Sequence, residues 1–547
     1  MKKIVFALFV VSIVACNNNQ TNQSEKHSSE KTSKPEVEKK ITKRDFSITA
    51  ANAFNNLFFD SMALVTFIDE NKIDASTARR MRSFYNARNY QYAWFSSNGL
   101  AEQARGFWNE HNYHTTYTND STLKDKALQT KMDNLIGLDS LEISATDKSI
   151  LNTELKLTRH FILYSLNTIE DGYVKRKEME KFIPVKKADA LALADSLIAK
   201  KHKDNKYYED VNEAYKKLKE ALVKYVAITK AGGLPMINSS AKMIKKGASL
   251  PVITAVKKSL QFTGDLPGND TTFLFDDKLE QGIKKFQLRY GYIPTGNLTD
   301  GQIKDMNVPA VKRVQQILMN MGRMRWMITE PQGKLIMVNI PEFILHVKEG
   351  KNKVFDMNVV VGKEGHNTTM FTGNLNQIVF SPYWNVPASI VEKEILPGIN
   401  RNKNYLAQHE MEITGTNDGL PVVRQLPGEK NSLGKVKFLF PNSFDIYFHD
   451  TPAKSLFDKD KRAYSHGCIR LSEPAKLAEY LLKGDANWTT DKIDFAMNSG
   501  NQQFVKVKNP VPVLITYYTA WVDDNGLLHF ADDIYGHDAE LTAKMFF

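Results

Sequence analysis

The chain contains two cysteines, and one of them, Cys468, stands in the run Tyr464-Ser465-His466-Gly467-Cys468-Ile469-Arg470-Leu471. A thiol is useful as a nucleophile only when it becomes a thiolate, which calls for a base or a cation beside it. His449, at the end of the run Ile446-Tyr447-Phe448-His449-Asp450-Thr451, can be that base. Gly467 permits a tight turn and the close approach of a substrate backbone, so the amides of Gly467 and Cys468 can face a developing oxyanion. His466 and Arg470 add positive charge, which is expected to depress the thiol pKa and to attract a carboxylate. Two other readings stand beside this one. His449, His466 and Cys468 could ligate zinc, although a structural zinc site takes about four ligands and the paired-cysteine spacing is missing. Alternatively the thiol is buried and inert between two satisfied histidines. Neither explains why all of these groups sit together, so no metal and no cofactor are expected.

The elements that must position these residues are β-rich. Short runs at 334–340, 343–347, 354–361, 377–380, 444–448 and 511–518 are bounded by Gly, Pro, Asn and Asp, and they predict a β-dominated domain over 331–518. Within it, 389–434 is a long polar stretch with a short helical piece at 389–396, too long for an ordinary connection and expected to form a lid or capping insertion. A linking helix from Pro309 to Gly322, inside 308–330, leads into this domain. Before it, 248–307 forms a small unit. It is centred on the amphipathic helix 279–287 closed by Gly291, with the turn Pro294-Thr295-Gly296 and a second helix at 300–306. Ile283 and Phe286 are expected in its core.

Helical periodicity dominates 45–247, where Leu151, Leu155, Phe161 and Ile162, then Ala214, Leu218, Ala221, Leu222 and Tyr225, recur at core-facing spacings. The segment from Phe84 to Arg88, with Tyr90 and Trp94, carries more aromatic and Arg content than packing alone needs. Residues 519–547 form a C-terminal extension.

At the start of the chain, Lys2 and Lys3 precede an apolar run from Ile4 to Val14 that is too short to span a bilayer. Ile13-Val14-Ala15-Cys16 resembles a bacterial lipobox. This implies a signal peptide at 1–15 and lipid on Cys16, with an ordinary secretory signal as the alternative. Residues 16–44 have almost nothing to bury and read as a disordered tether. The folded part is therefore expected on the periplasmic side of the cell envelope, held by a lipid anchor at the outer membrane. Apolar residues at 42% and charged residues at 25% exclude a mostly disordered or multi-span chain. The net charge of +11 is spread thinly, without Lys/Arg blocks interleaved with aromatics, so nucleic acid is not an expected partner.

Ser465-His466-Gly467-Cys468-Ile469-Arg470, preceded by His449 with fifteen residues between it and Ser465, resembles the signature of L,D-transpeptidases. Flanking stretches strengthen the match. They are Met337 to Phe343, Ser381-Pro382-Tyr383-Trp384-Asn385-Val386-Pro387, Arg424 to Gly428, Asn431-Ser432-Leu433-Gly434 and His449-Asp450-Thr451-Pro452. The whole resembles the large periplasmic subgroup of that family. The fold so implied is multidomain α+β: a helical scaffold, a three-helix peptidoglycan-binding-like unit and a β-rich catalytic domain with a capping insertion. The family's mechanism implies that Cys468 attacks a stem tetrapeptide, releases D-Ala, and passes the acyl group to a diaminopimelate amine to give a 3–3 cross-link. By the same resemblance His449 is the base and acid oriented by the Asp450 backbone, Gly467 and Cys468 form the oxyanion hole, and His466 positions the site. Arg470, Tyr447, Trp384 and Ser465 are the implied substrate contacts. Peptidoglycan stem peptides and glycan are the implied partners, and carbapenem-type compounds the implied inhibitors. A non-catalytic peptidoglycan-binding lipoprotein and a cysteine L,D-carboxypeptidase remain as alternatives. One departure is Thr368-Thr369-Met370-Phe371, where the family has Thr-Pro before the Phe; this is expected to loosen a loop without touching a catalytic group.

Overall fold

Helices carry the chain as far as Trp326 and strands take over at Lys334. The computed structural model of the protein describes residues 40–118, 121–138, 141–169, 183–199, 213–326 and 333–547, so the expected signal, Cys16 and most of the tether lie outside the described residues. From Thr42 onward the chain is one compact unit, in which several hydrophobic cores adjoin.

In the helical part, Ser61–Glu70, Ala75–Asn86 and Lys126–Ile136 are capped by Asp60, Asp74 and Asp125, whose carboxylates accept the first free amides of each helix. The long helix Lys148–Ile169 buries Leu155, Phe161 and Ile162, as their spacing predicts. It also buries Glu154, which accepts hydrogen bonds from the Ala93 and Trp94 amides at 2.7 and 2.9 Å and from the Tyr85 hydroxyl at 3.0 Å. The aromatic segment from Phe84 to Trp94 is thereby explained: it wraps a carboxylate that could not be buried without such donors. Arg88 lies over the Phe84 ring, 4.6 Å from its centroid, inside the same packing.

Helices Val252–Thr263, Asp277–Arg289 and Asp300–Met306 enclose a small core that includes Ile283 and Phe286. The linking helix is longer than expected, Ala310–Trp326. Its buried Arg323 meets Glu102 of the scaffold and Asp538 of the C-terminal extension, each at 2.5 Å. The extension, with the strands Ala520–Val522 and Leu528–Phe530 and the helix His537–Met545, packs into the core formed by the linking helix and Glu213–Lys230.

The catalytic-domain sheet has the strand order Ala463–Ser465, Asn352–Gly362, Ile469–Leu471, Phe448–His449, Val436–Leu439, Phe371–Phe380, Gln503–Thr516, Lys334–Asn339, Ile344–Glu349. The last strand pairs back onto Asn352–Gly362, so the strands close into a ring, with Ala463–Ser465 attached outside it. One face holds the core, with Ile378, Phe438, Phe448, Ile469 and Val359 among its residues. The strand expected at 444–448 is shorter, Phe448–His449, because 441–447 is held as a loop by Asn442. The expected insertion is present. Its helical start passes from Ala388–Ile390 through a π-helical turn, Val391–Ile395, into Leu396–Arg401. A hairpin, Met411–Asn417 with Leu420–Gln425, then pairs with Trp384–Asn385, and Val386, Val391, Ile395 and Val423 form its own core.

Candidate active site

Three neighbouring strands bring the site together. Phe448–His449 runs parallel to Ile469–Leu471, with His449 opposite Arg470, and antiparallel to Val436–Leu439, with Lys437 opposite His449. Directly opposed residues share a face. Lys437, His449 and Arg470 therefore form one row on the face away from the core. Cys468 sits in the turn just before Ile469, and the Ile469 amide donates to the Tyr447 carbonyl at 3.2 Å, which sets the turn beside Tyr447.

His449 is buried, and its Nδ1 lies 2.5 Å from the Asp450 carbonyl. A carbonyl only accepts, so Nδ1 carries the proton and Nε2 is left with a free lone pair, the tautomer a general base requires. The orienting group is itself fixed. The Asp450 amide donates to Val436 at 2.9 Å, and its carboxylate takes the Lys435 amide at 2.9 Å and Lys454 at 2.6 Å. Gly434, at φ +62°, lies against that carboxylate where a Cβ would clash. Burial first, then the charges of Arg470 and Lys437, hold the His449 pKa down to about 3, so the ring is neutral at pH 7.

Cys468 overturns one expectation. Burial pushes its thiol up to about 11, outweighing hydrogen bonds from Tyr447 and the charge of Arg470. The half-buried thiol donates to the Asp445 carbonyl at 3.5 Å, and among the described residues no hydrogen bond joins it to His449. The resting pair is therefore thiol and imidazole, not thiolate and imidazolium. His466 does not supply the expected charge either. It is exposed, burial and Lys363 lower its pKa, its Nε2 lies 3.4 Å from Glu394 of the insertion, and its ring packs edge-on against His366.

The turn is built by hydroxyls. Ser465 is buried and donates to the Cys468 carbonyl at 2.5 Å while accepting from the Gly467 amide at 3.3 Å, so it braces the turn. Gly467 has φ +111°, a conformation that disfavours any side chain. Its amide is already engaged, which leaves the Cys468 amide, without an acceptor among the described residues, as the free oxyanion donor. Thr368 corrects a further expectation. Its buried hydroxyl donates to the Gly467 carbonyl at 2.8 Å and accepts from the Gly362 amide at 2.9 Å, so the departing loop does touch the catalytic turn. Tyr535 of the C-terminal extension supports it, its hydroxyl donating to Gly362 at 2.6 Å and accepting from the Thr368 amide at 3.2 Å.

Tyr447 directs its hydroxyl and main chain at the Cys468 sulfur. Arg470 is half-buried, and its Nε is buried without a partner. Trp384 lies at the strand pair of the insertion and packs against the insertion's core. Among the described residues no group of three or more His, Cys, Asp or Glu is arranged to hold a metal ion.

A buried neutral base, a thiol in a glycine turn, a free amide at that thiol and the buried Nε of Arg470 are the groups that acyl transfer through a thiol would use. Comparison with known proteins agrees with that chemistry. Residues 333–507 match the L,D-transpeptidase catalytic domain and residues 79–222 match a scaffold domain. A putative L,D-transpeptidase of Haemophilus influenzae is 30% identical over 257 residues, which cover 43% of this chain and 51% of that protein. The chain thus spans about half the length of this curated relative. Residues 333–507 are thus similar to an L,D-transpeptidase catalytic domain. Among solved structures, an L,D-transpeptidase from Mycobacterium smegmatis is 16% identical, covers 34% of this chain and 58% of its own, and aligns with a TM-score of 0.19. L,D-transpeptidase 3 from Mycobacterium tuberculosis, in complex with a faropenem-derived adduct, is 14% identical over 34% of this chain and 60% of its own, with a TM-score of 0.18. Scores this low bear no weight for the fold or the site.

Proposed function

We propose that the chain is a peptidoglycan L,D-transpeptidase in which Cys468 attacks the carbonyl between the third residue of a tetrapeptide stem and its terminal D-Ala. His449 Nε2 takes the thiol proton as the S–C bond forms, and the Cys468 amide meets the oxyanion. The C–N bond then breaks and His449 returns the proton to the leaving amine of D-Ala. A diaminopimelate amine of a second stem attacks the acyl-enzyme, loses its proton to His449 and frees the thiol, giving a 3–3 cross-link.

The observation that carries this reading is the His449 tautomer, fixed by the Asp450 carbonyl with Nε2 open on the face that also bears Arg470. Because the neutral pair is the resting state, proton transfer accompanies attack instead of preceding it. The same chemistry extends to carbapenems, whose strained lactam presents an equivalent carbonyl. The unit at 248–307 is read as the peptidoglycan-binding element, and lipid on Cys16 as the anchor that keeps the enzyme on the periplasmic side of the outer membrane.

Mass spectrometry of the purified chain mixed with a tetrapeptide muropeptide tests the core of this. A Cys468-linked acyl adduct lacking D-Ala supports it. No adduct on a thiol that iodoacetamide still modifies rejects it in favour of a non-catalytic wall-binding protein.

A further inference from the structure

Lys437 is the one member of the row Lys437–His449–Arg470 that no sequence motif singles out. It is half-buried, and among the described residues no carboxylate, carbonyl or hydroxyl meets its ammonium. Its Nζ lies over the Tyr447 ring, 5.9 Å from the centroid. Burial lowers its pKa, and the charge of Cys468 raises it, which puts the ammonium within electrostatic reach of the reacting sulfur. A cation held out of bulk water without a counter-ion costs stability unless a ligand anion completes it.

We infer that Lys437 binds the terminal carboxylate of the leaving D-alanine and so selects stems that end one residue beyond the scissile bond. This rests on the transpeptidase reading above and adds to it the recognition of the leaving group. The order of the strands supplies the direction. Cys468 lies at the start of Ile469–Leu471, His449 on the next strand and Lys437 on the strand after that. Attack by Cys468 places the acyl carbon over the first strand, and His449 must then reach the leaving nitrogen to protonate it. The rest of the leaving residue continues in the same direction, toward Lys437. Adjacent strands are about 4.8 Å apart, and an amino-acid nitrogen and its carboxylate oxygens are separated by less than one such step. A lysine side chain on the strand past His449 therefore meets a carboxylate one residue beyond the scissile bond. In a pentapeptide stem that position holds a neutral amide and the carboxylate lies a full residue farther on.

The test compares kcat/KM for D-Ala release from a tetrapeptide muropeptide with that for D-alaninamide release from the same stem carrying a C-terminal amide. Both forms use the same thiol, so their ratio cancels any effect on nucleophile reactivity or folding. Wild type is expected to favour the acid by about 10- to 100-fold, the range of a hydrogen bond to a charged group. Lys437→Gln is expected to bring the ratio near one by losing rate on the acid alone, and Lys437→Arg to keep the preference. Lys437→Gln that retains the wild-type ratio, or that slows acid and amide equally, overturns the assignment while the wild type still turns over. A wild type that releases neither D-Ala nor D-alaninamide, with Cys468 still alkylated by iodoacetamide, overturns the transpeptidase reading itself and the assignment with it.

Discussion

Following the alkylation of Cys468 across pH measures the electrostatics on which the mechanism depends. With the thiol pushed up to about 11, only about one molecule in 10⁴ holds a thiolate at pH 7, against about 3% for an unperturbed cysteine. That difference alone slows alkylation roughly 300-fold. A more basic thiolate is intrinsically more nucleophilic, which returns about a factor of ten. Iodoacetamide should therefore modify Cys468 about 30-fold more slowly than free cysteine at pH 7. The rate should rise about tenfold per pH unit and level only near pH 11. The assay is timed quenching followed by quantification of the Cys468 peptide, which separates it from any contribution of Cys16. Burial, the main cause of the raised pKa, is untouched by His449→Ala, and among the described residues the resting thiol hydrogen-bonds the Asp445 carbonyl and not His449. The variant should keep the alkylation profile yet lose about 10²- to 10⁴-fold in acylation by a tetrapeptide or a carbapenem, the usual scale of general-base assistance. A wild-type rate that levels with a midpoint at or below pH 7 would refute this reasoning, because it would mean a preformed thiolate–imidazolium pair.

Other expectations concern the supports of the turn and the anchor. Thr368→Val removes a hydroxyl that satisfies both Gly362 and Gly467, and should lower stability by about 1–3 kcal/mol in denaturant titration; unchanged stability would mean water replaces it. Gly467→Ala forces a side chain to φ +111°, a strain of about 1–3 kcal/mol, and should slow acylation while Cys468 remains present and alkylatable. Cys16→Ser should move the protein from the membrane fraction to the soluble periplasm, and unchanged fractionation would remove the lipid anchor from the account.

The sequence was informative where chemistry is local. The run Ser465 to Arg470 and the histidine at the end of Tyr447-Phe448-His449 are contiguous signals, and the helices read at 279–287 and 300–306 follow from their apolar spacing and turns, whereas Val252–Thr263, which has no side-chain cap, was not read. What stayed hidden depends on distance along the chain. Thr368 reaches Gly467 across 99 residues and Tyr535 reaches Gly362 across 173, and nothing in either neighbourhood announces the other. The direction of the thiol pKa was misread for a related reason. Cations beside Cys468 are visible in sequence, but the depth at which the turn lies is a tertiary property, and burial wins. Lys437 escaped because its strand, Val436–Leu439, is four residues long and follows a glycine turn, too short for alternation to register as a strand.

The central claim is acyl transfer through Cys468, and product analysis addresses it most directly. Purified chain incubated with tetrapeptide muropeptides should release D-Ala and accumulate 3–3 linked dimers in step, with Cys468→Ala producing neither. D-Ala release with tripeptide stems and no dimers would contradict transfer and make the protein a hydrolase, and no D-Ala release while Cys468 remains alkylatable would contradict catalysis altogether.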